Sequence, residues 1–196
     1  DINQIGKFGV GFYSSFMVSD QVVVRSKKYN SKQSFLWTSD GKGTFSIENT
    51  DFKNDGTEIT LSIKKNESEF LNKFKIEEII KKYSDFVPFP IFVSSEEDKK
   101  EKKDADEIES QVNSAEAIWL KDKSKIKDED YKSFFNQISN FYDEPLKTIH
   151  FKAEGVVNYT SLMYFPKSQP QDLYHPDRKN KLKLYVNKVF ISDKLD

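Results

Sequence analysis

A run of charged residues divides this sequence into two parts. Residues 96–109 are almost all Asp, Glu and Lys and include no aromatic side chain. Such a run cannot bury enough apolar surface to order itself, whereas both flanking parts are rich in Phe, Tyr and β-branched residues. The pattern predicts two folded parts joined by a flexible, solvated linker. The alternative is an exposed helix held together by i,i+4 ion pairs.

The part before the charged run is predicted to form an antiparallel sheet followed by a helix. Short apolar or alternating runs occupy residues 21–26, 33–39, 43–49 and 56–63, with turn residues between them. Because alternate residues share one face of a strand, these runs predict an antiparallel meander with one buried face. Gly41 and Gly43 are interpreted as hairpin-turn residues. A helical period then covers residues 70–86, and Ser68 is a candidate cap for its first part.

The part after the charged run has the same mixture of helix and strand. Residues 128–142 form an amphipathic pattern with aromatic residues on one side, which predicts a helix. Strand-like runs follow at 147–154, 159–166 and 181–192. His150 falls in the first of these runs and His175 in a loop, and their spacing does not fit a metal site.

Composition narrows the classes of protein that are possible. The chain has 196 residues, a net charge of −1 and no cysteine. Near-zero charge argues against a general nucleic-acid binder, and no stretch of about 18 apolar residues predicts a membrane span. The first residues lack the features of a signal peptide. These observations predict a cytoplasmic protein.

A glycine-spaced loop near the start of the chain is the strongest candidate site. Gly6, Gly9 and Gly11 directly precede an apolar stretch, and a helix is expected to begin near Phe12. A glycine loop that leads into a helix can point several backbone N–H groups at one place, and the helix dipole adds positive potential there. The arrangement suits phosphate, but the spacing fits neither the dinucleotide fingerprint nor the P-loop. A tight turn that leads into a packed helix is the alternative.

The full string IGKFGVGFYSSFMVSDQVVV closely resembles the glycine-rich segment of the heat shock protein 90 chaperones. The resemblance continues through DGTEITLSI, KYSDFVPFPIFV and AIWLKDKSKIKDEDYKSFF to KLKLYVNKVFISD, and it is greatest for bacterial, HtpG-like members. It implies an α+β fold in three parts. Residues 1–93 would be the latter part of a two-layer sandwich, with helices on one face of an antiparallel sheet. Residues 94–112 would be the linker, and 113–196 the start of a middle domain.

The resemblance also implies an ATP-dependent chaperone that assists the folding of client proteins. Gly9, Val10, Gly11 and Phe12 match the loop that meets the phosphates of ATP or ADP bound with Mg²⁺. Gly6 matches the first glycine, where a mobile lid joins the domain. Thr57 matches a threonine of the hydrogen-bond network at the adenine. Without the family, Thr57 would be interpreted as a strand residue with a surface hydroxyl.

Several functional residues of the family have no match in this sequence. The family's general base, its metal-binding asparagine and its adenine-binding aspartate lie upstream of the glycine loop. The arginine that reaches the γ-phosphate lies beyond Asp196, and neither Arg25 nor Arg178 has a matching context. The resemblance therefore implies a central fragment with no catalytic residue or metal ligand of its own, which does not hydrolyse ATP alone. Homodimerisation would use a C-terminal domain outside the chain.

Three further expectations follow from the sequence. Leu173 and Tyr174 stand isolated in a long loop rich in proline and charge, which makes them candidate contacts for client proteins. No nucleic-acid or membrane partner is expected. The alternatives are another ATPase of the same superfamily or, for the isolated chain, a non-catalytic interaction module.

Overall fold

A computed structural model describes residues 10–96, 110–139, 143–178 and 182–194. The chain divides into two compact units, the first made of Asp1–Ile79 with Val93–Glu109 and the second of Ile80–Phe92 with Ser110–Asp196. Both units combine helices with antiparallel sheets, which confirms the α+β class. The assignment of 1–93, 94–112 and 113–196 to an ATPase-domain part, a linker and a middle-domain part stays a prediction.

The first unit is built around one four-stranded sheet. A 3₁₀ turn, Gly11–Ser14, leads into the short helix α1, Ser15–Val18. The strands follow as β1 (Ser19–Lys27), β2 (Ser34–Ser39), β3 (Phe45–Thr50) and β4 (Gly56–Ile63). A second 3₁₀ segment, Lys65–Leu71, precedes helix α2, Lys73–Tyr83, whose last residues belong to the second unit.

The strand order corrects the expected meander. The order across the sheet is β3-β2-β1-β4, and all neighbours are antiparallel. Three strands therefore form consecutive hairpins, and the fourth returns to pair with the first, as in a Greek key. Asp55 supports this return, because its carboxylate pairs with Lys27 at 3.1 Å and accepts the Asn30 N–H at 3.3 Å.

The expected buried face of the sheet is apolar but largely uncovered by the described residues. Phe45 and Ile47 are 64% and 59% exposed, and Ile59 is also exposed. The prediction of burial is wrong for these three side chains. The ring contacts described on this face come from Phe12 and Phe16, which pack on Trp37. The hairpin prediction for Gly41 and Gly43 is confirmed, since both lie between β2 and β3 with positive φ.

The predicted helix at 70–86 is shorter than expected. Asn72 is extended and separates the 3₁₀ segment from α2. Its side-chain oxygen accepts the Lys75 N–H at 3.2 Å, so Asn72, and not Ser68, caps the α-helix.

The second unit contains one long helix and two hairpins. Helix α3 spans Asp128–Ser139, as the aromatic period predicted, and residues 140–142 of that prediction lie outside the described part. Strands β5 (Pro145–Ala153) and β6 (Tyr159–Pro166) form one hairpin, and β7 (Leu184–Val186) and β8 (Val189–Ser192) form the other. The run predicted as one strand at 181–192 is thus a hairpin. Asn187 and Lys188 both have positive φ, as a tight two-residue turn requires.

An aromatic cluster forms the core of the second unit. Phe135 on α3 is 3% exposed, and its ring centroid lies 5.2 Å from that of Tyr164 on β6. Phe86, also buried, contacts Trp119 edge-on at 4.7 Å. Among the described helices, none has the length and apolar character needed to span a membrane.

Candidate functional site

The start of the first helical segment is held against the sheet by aromatic contacts. The Phe12 ring meets Trp37 of β2 at 5.7 Å and Phe16 at 6.3 Å, both in edge-to-face geometry. Phe16 also contacts Trp37, at 6.4 Å. Because such pairs add stabilisation beyond simple burial, they fix where the backbone of Gly11 and Phe12 lies over the sheet.

The end of α1 is anchored by Lys64, which no sequence pattern indicated. The Lys64 ammonium donates to the carbonyls of Phe16 and Met17, each at 2.9 Å, and so supplies positive charge at the helix C-terminus. Gly41 packs directly on this segment. A Cβ atom on Gly41 would lie 2.8 Å from the Phe16 ring, so the hairpin glycine also leaves room for α1.

The N-terminal end of this segment has backbone N–H groups without an acceptor among the described residues. Tyr13 N–H donates to the Val10 carbonyl at 3.1 Å, and no acceptor for the Gly11 or Phe12 N–H is found within the described residues. The Ser14 hydroxyl instead donates backwards to the Gly11 carbonyl at 2.6 Å. A Cβ atom on Gly11 would have nothing within 4 Å, so the space beside its Cα is open. This arrangement suits an anion.

The predicted nucleotide residues are only partly covered by the structure. Gly6 and Gly9 lie outside the described residues. Val10, Gly11 and Phe12 are exposed and form the helix start described above. The φ of Gly11 is not positive, so its backbone conformation does not require a glycine. What distinguishes Gly11 in this conformation is that it has no side chain.

Thr57 lies on the same face of the sheet as the helix start. It is exposed on edge strand β4, and its hydroxyl lies 3.0 Å from that of Ser26. Register puts Thr57 on the side that carries Ile59, Val24 and Trp37, and Trp37 is the residue that Phe12 contacts. No hydrogen bond links Thr57 to residues 10–12 in the part of the chain that is described. Its role at an adenine stays a prediction.

The loop that was predicted to contact clients is exposed at one of its two apolar residues. Tyr174 is 84% exposed, whereas Leu173 is half-buried. Backbone hydrogen bonds from Leu173 to Pro170 and from His175 to Asp172 fold the loop into successive turns. Tyr174 is therefore the better placed of the two for contact with another protein.

No sequence pattern indicated the polar pair that Tyr131 and His150 form in the second unit. His150 lies on β5 as predicted, and its Nδ1 accepts the Tyr131 hydroxyl at 2.7 Å while its Nε2–H donates to the Trp119 carbonyl at 3.1 Å. Burial lowers the pKa of His150, the hydrogen bond to Trp119 partly offsets this, and the positive charge of Lys123 lowers it further. Burial, with a contribution from Asp128, raises the pKa of Tyr131. The imidazole is therefore a neutral link between β5, α3 and the turn at Trp119.

The pair lines an open cleft of about 580 Å³ between α3 and β5. The cleft carries charges of both signs, from Lys123 and Lys147 and from Asp128 and Glu129. Within the described residues, no group of three or more His, Cys, Asp or Glu side chains is arranged to hold a metal ion.

Comparison with known proteins identifies the family. The sequence model of the family described as "Hsp90 protein" matches residues 93–196. The chain is 44% identical over 193 residues to the chaperone protein HtpG of Paramagnetospirillum magneticum, an alignment that covers 98% of this chain and 30% of that protein.

Two other relatives agree with this match. The HtpG proteins of Helicobacter pylori and Sulfurimonas denitrificans are each 45% identical, over 96% and 98% of this chain and 31% and 32% of theirs. The chain thus spans about a third of the length of the curated relatives it matches. The chain belongs to the Hsp90 family, with bacterial HtpG proteins among its relatives.

Proposed function

We propose that this chain is part of an ATP-dependent chaperone, in which the first unit contributes to nucleotide binding and the second to contact with client proteins. The observation that carries the proposal is the exposed helix start at Val10–Phe12, in a family whose HtpG members are named chaperones. A cytoplasmic location, a role in the stress response and a homodimer formed through a C-terminal domain belong to the same proposal.

Phosphate oxygens of ATP would be held by backbone donors in this scheme. No acceptor for the N–H groups of Gly11 and Phe12 is found within the described residues, and the partial positive charge of the helix N-terminus favours an anion there. Phe12 would stay on Trp37 and fix the donors in position. Mg²⁺ would neutralise part of the phosphate charge, and no residue of this chain is assigned to it. Thr57 would take part in the hydrogen bonds at the adenine end.

A pair of glycine substitutions tests the phosphate site. This chain would replace the aligned part of the Helicobacter pylori HtpG protein, and ATP affinity would be measured by calorimetry. We expect Gly11→Ala to weaken ATP binding at least tenfold, because its methyl group takes space next to the phosphates. Gly155→Ala is the matched control, since that glycine also lacks positive φ and close neighbours. Equal ATP affinity in the two variants would reject the assignment of Gly11.

The isolated 196-residue chain should behave differently from the chimera in which it replaces the aligned part of the Helicobacter pylori HtpG protein. The family's adenine-binding aspartate has no match in it, so the glycine loop alone should hold nucleotide only weakly. We expect no measurable heat when the chain is titrated with Mg-ADP. Tight binding would mean that residues interpreted here as structural form a nucleotide site.

Client contact is assigned to the loop at Leu173 and Tyr174. Aggregation of a thermally unfolded client would be followed by light scattering in the presence of the chimera. We expect Tyr174→Ser to weaken the suppression of aggregation, and Leu173→Ser to do so with some loss of stability, because Leu173 is half-buried. Tyr29→Ser is the control, since Tyr29 is a similarly exposed tyrosine in another loop. Unchanged suppression by Tyr174→Ser would contradict the proposal.

Two other functions remain as alternatives. Another ATPase of the same superfamily would share the glycine loop, but the family match to residues 93–196 favours the chaperone. A non-catalytic interaction module describes the isolated chain if it binds no nucleotide.

A further inference from the structure

The sequence contains two Asp-Gly dipeptides, and both lie beside strands of the first unit. Asp40–Gly41 lies in the turn between β2 and β3, and Asp55–Gly56 lies where β4 begins. All four residues are exposed. Because glycine has no side chain to hinder its amide nitrogen, that nitrogen can attack the carboxyl carbon of a preceding aspartate. The dipeptide Asn-Gly, which reacts in the same way, does not occur in this sequence.

The reaction at an Asp-Gly dipeptide rearranges the backbone and needs only water. The glycine nitrogen forms a bond to Cγ of the neutral aspartic acid, and the carboxyl OH leaves with the amide hydrogen as water. Water then opens the resulting five-membered succinimide at one of its two carbonyls. Opening at Cγ restores aspartate. Opening at the backbone carbonyl gives isoaspartate, in which the main chain runs through the side chain and is one methylene longer.

Asp55 is held by contacts with other parts of the sheet. Its carboxylate lies 3.1 Å from the Lys27 ammonium and accepts the Asn30 N–H at 3.3 Å. The hydrogen bond from Lys27, followed by that from Asn30, lowers the pKa of Asp55, so the reactive neutral carboxyl group is rarer. Gly56 is paired with Lys27 in the ladder between β1 and β4. Freeing this dipeptide therefore requires β4 to separate from β1.

Asp40 is held only by contacts within its own turn, as far as the described residues show. Its carboxylate accepts the Lys42 N–H at 3.0 Å, and the Gly41 N–H donates to the Ser39 hydroxyl oxygen at 3.1 Å. The Ser39 hydroxyl in turn donates to the Thr44 carbonyl at 2.6 Å. Exposed turns open at a much lower free energy than strand ladders. One local opening therefore frees the carboxyl group and the amide of this dipeptide together.

We propose that Asp40 is a site of spontaneous isomerisation to isoaspartate, whereas Asp55 is protected from the same reaction. Both aspartates precede a glycine, so what separates them is whether their partners lie in one turn or on another strand. The modified residue presents a free α-carboxylate on the exposed turn between β2 and β3. That carboxylate is the group that isoaspartyl methyltransferases esterify. The site does not depend on the proposed binding of nucleotide or clients.

Peptide mapping gives the direct test in the full 196-residue chain. Folded protein and chain unfolded in urea would be incubated at physiological temperature and neutral pH, and isoaspartate would be located by electron-transfer mass spectrometry. In the folded protein we expect it to form about tenfold faster at Asp40 than at Asp55. In urea the two rates should agree within about twofold, since the contacts are lost. Equal rates in the folded protein, a faster rate at Asp55, or no reaction at Asp40 while the unfolded chain reacts would overturn the proposal.

Two lysine substitutions test why Asp55 is protected. Lys27→Ala removes the ion pair with Asp55 and should raise isoaspartate formation there at least about threefold, with the rate at Asp40 unchanged. Lys42→Ala is the matched control, because the Lys42 ammonium lies 3.8 Å from Asp40 and its side chain is 84% exposed. We expect it to change neither rate by more than about twofold. An unchanged rate at Asp55 in Lys27→Ala would reject the contacts between strands as the cause.

Methyl transfer measures the modified residue independently of digestion. Aged protein would be treated with an isoaspartyl methyltransferase and radiolabelled S-adenosylmethionine. Asp40→Glu keeps the negative charge but would have to form a six-membered ring, which is much slower, so we expect it to lose most of the label. Asp55→Glu is the matched control and should keep the label. If aged Asp40→Glu took up as much label as aged unsubstituted protein, Asp40 would be excluded as the site.

The contact between the turn and α1 should report the modification as well. A Cβ atom on Gly41 would lie 2.8 Å from the Phe16 ring, so the turn has no room on that side for a longer backbone. Phe16 packs on Trp37, whose emission can be followed alone in a Trp119→Phe background. We expect the urea midpoint to fall as isoaspartate accumulates, and to stay constant in aged Asp40→Glu. An equal fall in both proteins would contradict isomerisation at Asp40 as its cause.

Discussion

Each of the two units is stabilised internally in a different way. The first unit depends on the hydrogen-bond ladders of one sheet, and among its described residues Val22 is the only buried apolar side chain. The second unit has a packed aromatic core that includes Phe86, Phe135 and Phe190. The difference indicates that the second unit carries a core of its own, whereas an apolar face of the first is open to contact.

The open face of the first unit is also the face that carries its candidate site. Phe12 and Thr57 both lie on it, together with exposed Phe45 and Ile47. A ligand or further polypeptide that covers this face would bury apolar surface and stabilise the unit by mass action. In the second unit, by contrast, the candidate contact residue Tyr174 is exposed on a loop outside the packed aromatic core.

Loss of a core side chain should give the largest difference between the units. We expect Phe135→Ala to lower the free energy of unfolding of the second unit by about 3–5 kcal/mol, because it leaves a cavity beside Tyr164. Ile47→Ala in the first unit should change stability by less than about 1 kcal/mol, since its side chain is already exposed.

Fluorescence can separate these two effects. The chain has one tryptophan in each unit, Trp37 and Trp119, so Trp37→Phe leaves a reporter for the second unit and Trp119→Phe one for the first. Urea unfolding would be measured for each substitution in the matching background. If Phe135→Ala and Ile47→Ala lowered the free energy of unfolding equally, the contrast between a packed core and an open face would be contradicted.

Gly41 should be the most sensitive of the described glycines in the first unit. Gly41→Ala combines a φ of +76° with a clash against the Phe16 ring, so we expect it to lower the free energy of unfolding by about 1–3 kcal/mol. Gly43→Ala is the matched control, because that residue also has positive φ but no neighbour within 4 Å. Thermal melts followed by Trp37 emission would compare the two variants. A larger loss for Gly43→Ala would show that the contact between the hairpin and α1 is unimportant.

The smallest expected effect is a pH dependence confined to the second unit. Because folding lowers the pKa of His150, the unfolded chain takes up a proton first as pH falls below about 6.5. The stability that the neutral imidazole contributes is therefore full above that pH and is lost progressively on acidification.

This pH dependence can be measured by urea unfolding between pH 7.5 and 5, followed by Trp119 emission. His150→Gln should flatten the acid-dependent loss, whereas His175→Gln, in an exposed loop, should retain it. An identical loss in both variants would exclude His150 as its source.

Local patterns predicted the elements of this fold better than their arrangement. Helix α3 follows from the spacing of Tyr131, Phe134 and Phe135, and the four strands of the first unit follow from alternation and turn residues. The place of β4 beside β1 did not follow, since pairing between distant strands is decided by tertiary contacts. The turn at Asn187–Lys188 was missed because neither residue is glycine.

The candidate sites show the same limit. The glycine spacing led to the exposed helix start at Gly11 and Phe12, since a loop before a helix has a local signature. The hydrogen bonds from Ser114 to Asp85 and from Asn113 to Val87 join residues 29 and 26 positions apart, and no local pattern marks either Asp85 or Asn113. His150 was placed correctly on a strand, but its partners Tyr131 and Trp119 lie on other elements.

The most direct test of the account is whether this chain works inside a chaperone of its family. The chimera with the Helicobacter pylori HtpG protein would be assayed for ATP turnover and for ATP-dependent protection of an unfolding client. We expect both activities, with Gly11→Ala reducing turnover at sub-saturating ATP and Gly155→Ala leaving it unchanged. A folded chimera that binds ATP but neither turns it over nor protects the client would contradict the proposed function.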